Sequence, residues 1–298
     1  MLHALDGFAL IGAIVLAGWA VGRFAGLPET TEEIVGRLVY TILAPCLLFT
    51  VVARADPDVL FSEPLLVSGL AALLTFIAYG LIFFRRDRRT RIMGGMCAGY
   101  VNANYIGIPI ATYVLNDAAL VVPIMMLQLL VITPIVLALL TSGSAREAVL
   151  SALRNPLVVA VALGATVAAT GLRIPAVVAD PLNVIGQATV PLVLIAFGLS
   201  LHGRAILAPG PDRAPTLVAV AGKTAGMPAI AFLLALLFRL PHHETYAVTV
   251  LAGLPTAQNV FLHAQRFRTG LILARDAVFL STIACVPVLL LIAVLFTR

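Results

Sequence analysis

Residues 102–110 read NANYIGIPI, inside a stretch that is otherwise apolar from about 92 to 115. A single helix through this stretch fails for local reasons. Pro109 has no amide hydrogen and its ring clashes with the preceding turn. Gly107 adds backbone freedom. Asn102 and Asn104 put two side-chain amides just upstream, and an amide both donates and accepts. Residues 253–260 read GLPTAQNV and return to the theme with Gly253, Pro255, Thr256, Gln258 and Asn259. If these stretches cross a bilayer, the backbone they release survives only where it is buried in protein or lines water. The half-helices that resume after each break present N–H groups and partial positive charge, which favours an anionic group. Two interrupted segments in corresponding places are the sequence pointer to a transporter site.

Composition puts both stretches in a membrane. Of 298 residues, 61% are hydrophobic and 11% charged, with mean hydropathy +1.07. A soluble domain is about 45–50% apolar and about 25% charged. A soluble enzyme, a nucleic-acid binder and a disordered chain are thereby excluded. Apolar runs exceed 18 residues, the length that spans about 30 Å of hydrocarbon as a helix. The reading is an all-α membrane protein with ten spans, at about 7–25, 34–53, 64–84, 92–115, 118–141, 156–171, 181–201, 214–238, 245–265 and 272–296. The first span is not expected to be a cleaved signal, since its apolar run is too long. With the N-terminus outside, 14 of the 19 cations fall on the cytoplasmic side, the run RRDRRTR at 85–91 among them. Four arginines fall on the other side, so the positive-inside rule predicts both termini outside. The arginine run also fits contact with anionic lipid. The three cysteines, Cys46, Cys97 and Cys285, all lie in apolar runs and are read as small packing residues rather than a disulfide framework.

The chain further reads as two copies of one five-span unit, residues 1–143 and 144–298. Span two carries LAPCLLF and span seven TVPLVLI, with Pro45 and Pro191 separated by 146 positions; Pro109 and Pro255 have the same separation. Five is odd, so the second copy enters from the opposite side. That is an inverted repeat, which suits alternating access.

One cation, Lys223, is expected deep in span eight, roughly 13 Å from either end at 1.5 Å per residue. An ionisable residue at that depth is a functional hypothesis by default. It suits binding of an anion, neutralising carbonyls at a helix break, or a change of protonation. Gly222-Lys223-Thr224 is not a phosphate loop, because Leu217 stands where that motif needs glycine. The 14 carboxylates all read as loop or helix-end residues, which disfavours cation antiport. Of the histidines, only His263 is deep, and it reads as an interfacial or packing residue. There is no HExxH spacing, so no metal site, no cofactor and no enzymatic activity are expected.

In this order and at these spacings the chain resembles the auxin efflux carrier family in its short bacterial form, a relative of the bile acid/sodium symporters. The matching residues are Asn102, Gly107 and Pro109 in span four, and Pro255, Thr256, Ala257, Asn259 and Arg266 in span nine. NPLV opens span six, PLVLIAFGLSL lies in span seven, Lys223 and Pro228 in span eight, and LSTIACVPV in span ten. The resemblance implies a scaffold of spans one, two, six and seven, dimeric through that scaffold. Spans three to five and eight to ten would form a mobile transport unit. It further implies export of a small organic anion, such as malate, malonate or an auxin-like acid, by elevator-type alternating access in the bacterial inner membrane. Asn102 and Asn259 would lie beside the substrate carboxylate. The expected substrate-binding residues are Asn102, Asn104, Gly107, Pro109, Pro255, Gln258, Asn259 and Lys223. The expected partners are the anion, membrane lipid and a second copy, with no nucleic acid. A sodium-coupled symporter of bile-acid type and a non-transporting membrane sensor are the alternatives.

Overall fold

The computed structural model describes residues 2–28, 30–54, 63–107, 110–111, 114–115, 117–140, 150, 154–201 and 206–296. These residues fold as helices: α1 Leu2–Phe24, α2 Thr31–Val52, α3 Glu63–Ile82, α4 Arg88–Gly99, α5 Pro123–Leu140, α6 Pro156–Thr170, α7 Ala176–Gln187, α8 Thr189–Leu201, α9 Arg213–Leu237, α10 His242–Ala252, α11 Gln258–Phe267 and α12 Leu271–Phe296. Among the described residues there is no strand, only an isolated antiparallel bridge between Val101 and Thr256. Six helical segments are long and apolar enough to cross a membrane, and α6 and the described part of α1 are shorter apolar helices. Large apolar side chains stand exposed along their outer faces, as at Leu73, Ile77 and Leu81 of α3 and Leu233, Leu236 and Leu237 of α9.

Several other prolines are absorbed within continuous helices. Wide π-helical turns interrupt α2 at Val39–Leu43, α5 at Leu127–Ile132 and α9 at Gly222–Gly226. In each case a proline (Pro45, Pro134, Pro228) follows two positions after the turn ends. A proline ring collides with the carbonyl four residues earlier, and in all three helices that residue lies in the π-turn. A π-turn shifts the hydrogen-bond ladder by one residue and moves that carbonyl aside. The helices therefore run on without breaking.

The chain divides into two compact units. The first holds Met1–Val59, Leu129–Leu137 and Gly143–Ala205; the second holds Leu60–Gln128, Ala138–Ser142 and Ile206–Arg298. In the first unit α1 lies along α8 at Gly18 and Gly198. The backbones of Ile195 and Val15 occupy the space a β-carbon would need there. With no hydrophobic drive between helices in lipid, this close backbone approach is what packs them. In the second unit Val67 of α3, Ala235 of α9, Val248 of α10 and Leu240, in the turn before α10, form one buried cluster. The α3–α4 turn is tied to the segment before α9 by the Arg86–Asp212 ion pair at 2.7 Å.

One carboxylate departs from the sequence reading. Asp276 stands in the second turn of α12 and is 1% exposed. One of its oxygens accepts from Arg275 Nε at 2.7 Å and the other from the Leu207 N–H at 3.0 Å. The adjacent arginine, and a backbone amide from a residue in the left-handed region (Leu207, φ 53°), compensate the buried charge.

Candidate functional site

Both expected breaks are present, and both lie in the second unit. The first begins where α4 ends at Gly99. Tyr100 turns extended, at φ −106° and ψ 112°, and a π-turn forms over Ala103–Gly107. The second lies between α10, which ends at Ala252, and α11, which begins at Gln258. The two broken segments run antiparallel and touch through their backbones. Asn102 N–H donates to Pro255 O at 2.8 Å, and Ala257 N–H donates to Tyr100 O at 3.1 Å.

Side chains from surrounding helices take up the remaining backbone groups. Thr256 Oγ1 donates to Cys97 O at 2.6 Å, at the end of α4. Ser281 Oγ of α12 accepts the Thr256 N–H at 3.0 Å. Gly107 N–H returns to Asn102 O at 2.9 Å, closing the π-turn. A β-carbon at Gly107 would stand 2.9 Å from Val121 Cγ2, 3.1 Å from Leu254 Cδ1 and 3.2 Å from Asn102 O, so a larger residue here would require its neighbours to shift.

Lys223 is completely buried in the π-turn of α9. Its ammonium donates to Ala252 O at 2.6 Å and touches Met227 Sδ at 3.2 Å. Ala252 is the last residue of α10, where carbonyls lose their helical partners and the helix dipole is negative. Of the three roles open to this lysine, the geometry displays the one that neutralises carbonyls at a break.

Of the expected site residues, Asn102, Gly107, Pro255 and Asn259 are all buried within these two breaks or the first turn of α11, and Gln258 is half-buried beside them. Asn104 belongs to the π-turn, its side chain outside the described set; Pro109 lies outside the described residues altogether. The bridge pairs Val101 with Thr256, residues 155 apart. Pro255 stands at the crossing itself, and the residue facing it there is Asn102, whose N–H its carbonyl accepts, rather than a proline. The sequence reading missed Thr256 as a tie to α4, Ser281, and Gln128. No periodicity marks them; a buried Gln or Ser in an apolar run beside a break was the available signal. His263 is buried and hydrogen-bonded or otherwise engaged within the fold. Among the described residues no three His, Cys, Asp or Glu side chains gather as a metal site.

Broken helices crossing through their backbones, inside an all-helical apolar chain, are a transporter's architecture. The model of the membrane transport protein family matches residues 7–150 and 144–293. The chain belongs to this family, of the auxin efflux carrier type. Its members are transporters, not enzymes, and it is a multi-pass membrane protein. It is also similar to the uncharacterized transporter YfdV of Escherichia coli strain K12, at 27% identity over 207 residues, 63% of this chain and 65% of that protein. The same protein from Escherichia coli O157:H7 and from Shigella flexneri matches equally. The match thus spans a little under two thirds of the length of these relatives.

Proposed function

We propose that the protein is a secondary transporter or uniporter that exports a small organic anion, a carboxylate of the malate, malonate or auxin-like type, by elevator-type alternating access. The observation that carries this reading is the crossing. Asn259, a buried amide, lies in the first turn of α11, and Asn102, another, donates its backbone N–H to Pro255 O, three residues before that helix begins. The other groups there are backbone dipoles and hydroxyls, and the neighbouring charge is the cation of Lys223. Donor-rich, positively biased surroundings suit a carboxylate. The grouping of α1, α2 and α6 to α8 apart from α3, α4 and α9 to α12 supports a static scaffold and a mobile transport unit. Ten crossings in two inverted five-span repeats, both termini outside, a dimer through the scaffold, contact with anionic lipid and residence in a bacterial inner membrane complete the proposal. Membrane voltage supplies the drive, at about 2.3 kcal/mol per charge per 100 mV. An inside-negative potential pushes an anion outward.

The test begins with a thermal-shift screen of dicarboxylates and indole acids on the purified protein. Flux is then measured in proteoliposomes under an imposed potassium-diffusion potential, at matched pH and without sodium. Voltage-dependent flux of a stabilising acid, lost in Asn259→Ala with an unchanged melting temperature, is the expected result. Flux that ignores voltage and requires a sodium gradient would establish the symporter instead, and absence of any flux the sensor.

A further inference from the structure

The crossing is a two-residue piece of antiparallel ladder. Its two hydrogen bonds flank the Val101–Thr256 pair, so in both residues the N–H and C=O point away from the partner. All of this is buried, and a buried backbone group without a partner costs roughly 1–3 kcal/mol. Thr256 turns its N–H to Ser281. Val101 O accepts the Ala103 N–H at 2.8 Å, and both its O and its N–H also meet a single side chain. With the Gln128 amide oriented to satisfy the network, its nitrogen donates to Val101 O and its oxygen accepts from Val101 N–H, each at 2.9 Å. Gln128 is 2% exposed.

We propose that Gln128 is a positioning residue for the crossing. Its amide stands where a third strand would, fixing the Val101 peptide and thereby the direction in which the next residue, Asn102, leaves the backbone. Among side chains only an amide, or a neutral carboxyl of the same shape, offers a donor and an acceptor in one plane at this spacing. The position of Gln128 in the chain gives the clasp a second consequence. It sits in the π-turn Leu127–Ile132 and is the last residue of its segment in the second unit; from Leu129 the chain belongs to the first. The residue that holds the broken segment is therefore also the one at which the chain changes unit. The role of Asn102 in this inference rests on the anion-transport reading; the clasp on Val101 does not.

The experiment uses the full-length protein in detergent or nanodiscs, with Gln128→Leu and Gln128→Glu. The first readout is hydrogen exchange of the peptide containing Val101, corrected for intrinsic rates. Exchange should rise at least tenfold in Gln128→Leu. Gln128→Glu should lie between wild type and the Leu variant at pH 8, where a carboxylate still accepts the Val101 N–H but sets its other oxygen against Val101 O. It should approach wild type at pH 5, since burial favours the neutral carboxyl that restores both bonds. Wild type and Gln128→Leu should show no such pH dependence. The second readout is affinity for whichever acid stabilises the wild type, expected to fall tenfold or more in Gln128→Leu and to recover with Gln128→Glu at pH 5. Unchanged exchange at Val101 in Gln128→Leu would overturn the clasp. Raised exchange with unchanged affinity would overturn the positioning role. If no acid binds the wild type, the transport reading fails separately, and the exchange profile alone decides Gln128.

Discussion

At the first break, after α4, every displayed partner of the freed backbone is neutral: the Thr256 hydroxyl on Cys97 O, the Ala257 N–H on Tyr100 O, the Gln128 amide on Val101. At the second, after α10, a lysine holds Ala252 O, while Asn102 N–H and Ser281 Oγ take Pro255 O and the Thr256 N–H. The two breaks therefore satisfy similar backbone debts with different electrostatics. The α10 end carries the Lys223 amine beside the negative pole of its helix, whereas the displayed partners at the α4 end are neutral dipoles. A carboxylate entering the crossing would meet positive potential mainly from the α10 side.

Lys223 is where the comparison breaks hardest. Lys223→Met removes the donor and leaves Ala252 O buried without it. A hydrogen bond from a charged group contributes about 1.5–3 kcal/mol, and an orphaned buried acceptor costs about 1–3. Loss of about 2 kcal/mol in denaturant stability is expected, with Lys223→Gln recovering about half because an amide can still donate. A Met variant as stable as wild type would show that the α10 end needs no cation. Anion affinity measured on the Gln variant then separates a carbonyl cap from a ligand group.

The next effect falls on the first break. Thr256→Val keeps the shape and deletes the donor to Cys97 O. Hydrogen bonds between helices in membranes contribute about 0.6 kcal/mol on average and up to about 1.7. The short, fully buried geometry puts this loss near the upper value. Ser281→Ala, which removes only the acceptor of the Thr256 N–H, should cost less, near the average. Because both act on one residue, the double variant should fall short of the sum. Strict additivity would show that α4 and α12 grip Thr256 independently.

These residues also show how far the sequence could be read. Proline, glycine and amide in an apolar run announced both breaks, since each residue removes or competes for a helical hydrogen bond. At Pro45, Pro134 and Pro228, by contrast, a π-turn shifts the ladder and the helix continues. Lys223 was legible as a buried cation because nothing else charged lies near it in sequence; its acceptor, 29 residues away, was not. Asp276 was misplaced because its compensation comes from Leu207, 69 residues distant. Gln128 and Ser281 carry no signature beyond being polar residues in apolar runs. Composition reports which segments are helical and buried, while partners that meet across the bundle are set by packing.

The smallest expected effect lies where the two broken spans begin. α4 opens at Asp87, whose carboxylate accepts the Thr90 N–H at 3.0 Å, whereas α10 opens at Pro241 with no side-chain cap. Bonds from the Thr90 side chain, then from its backbone, hold the Asp87 carboxyl below its ordinary value. Asp87 is exposed, so the contribution is modest: Asp87→Ala should cost about 0.5 kcal/mol, the low end for a lost cap. The sign of its pH dependence follows from the lowered value. The stabilisation is fully present above the unfolded carboxyl's pKa of about 3.9, and it fades as pH falls through the lower folded value. Between pH 8 and 5 the difference between wild type and Asp87→Ala should stay constant; below about pH 4 it should shrink. Asp87→Asn caps as well as aspartate does but cannot titrate, so its own stability should lack this acid-dependent component. Pro241→Ala at the other opening should show no pH-dependent difference from wild type over the same range. A constant Asp87→Ala difference down to pH 3 would mean that the carboxylate's charge adds nothing to the cap.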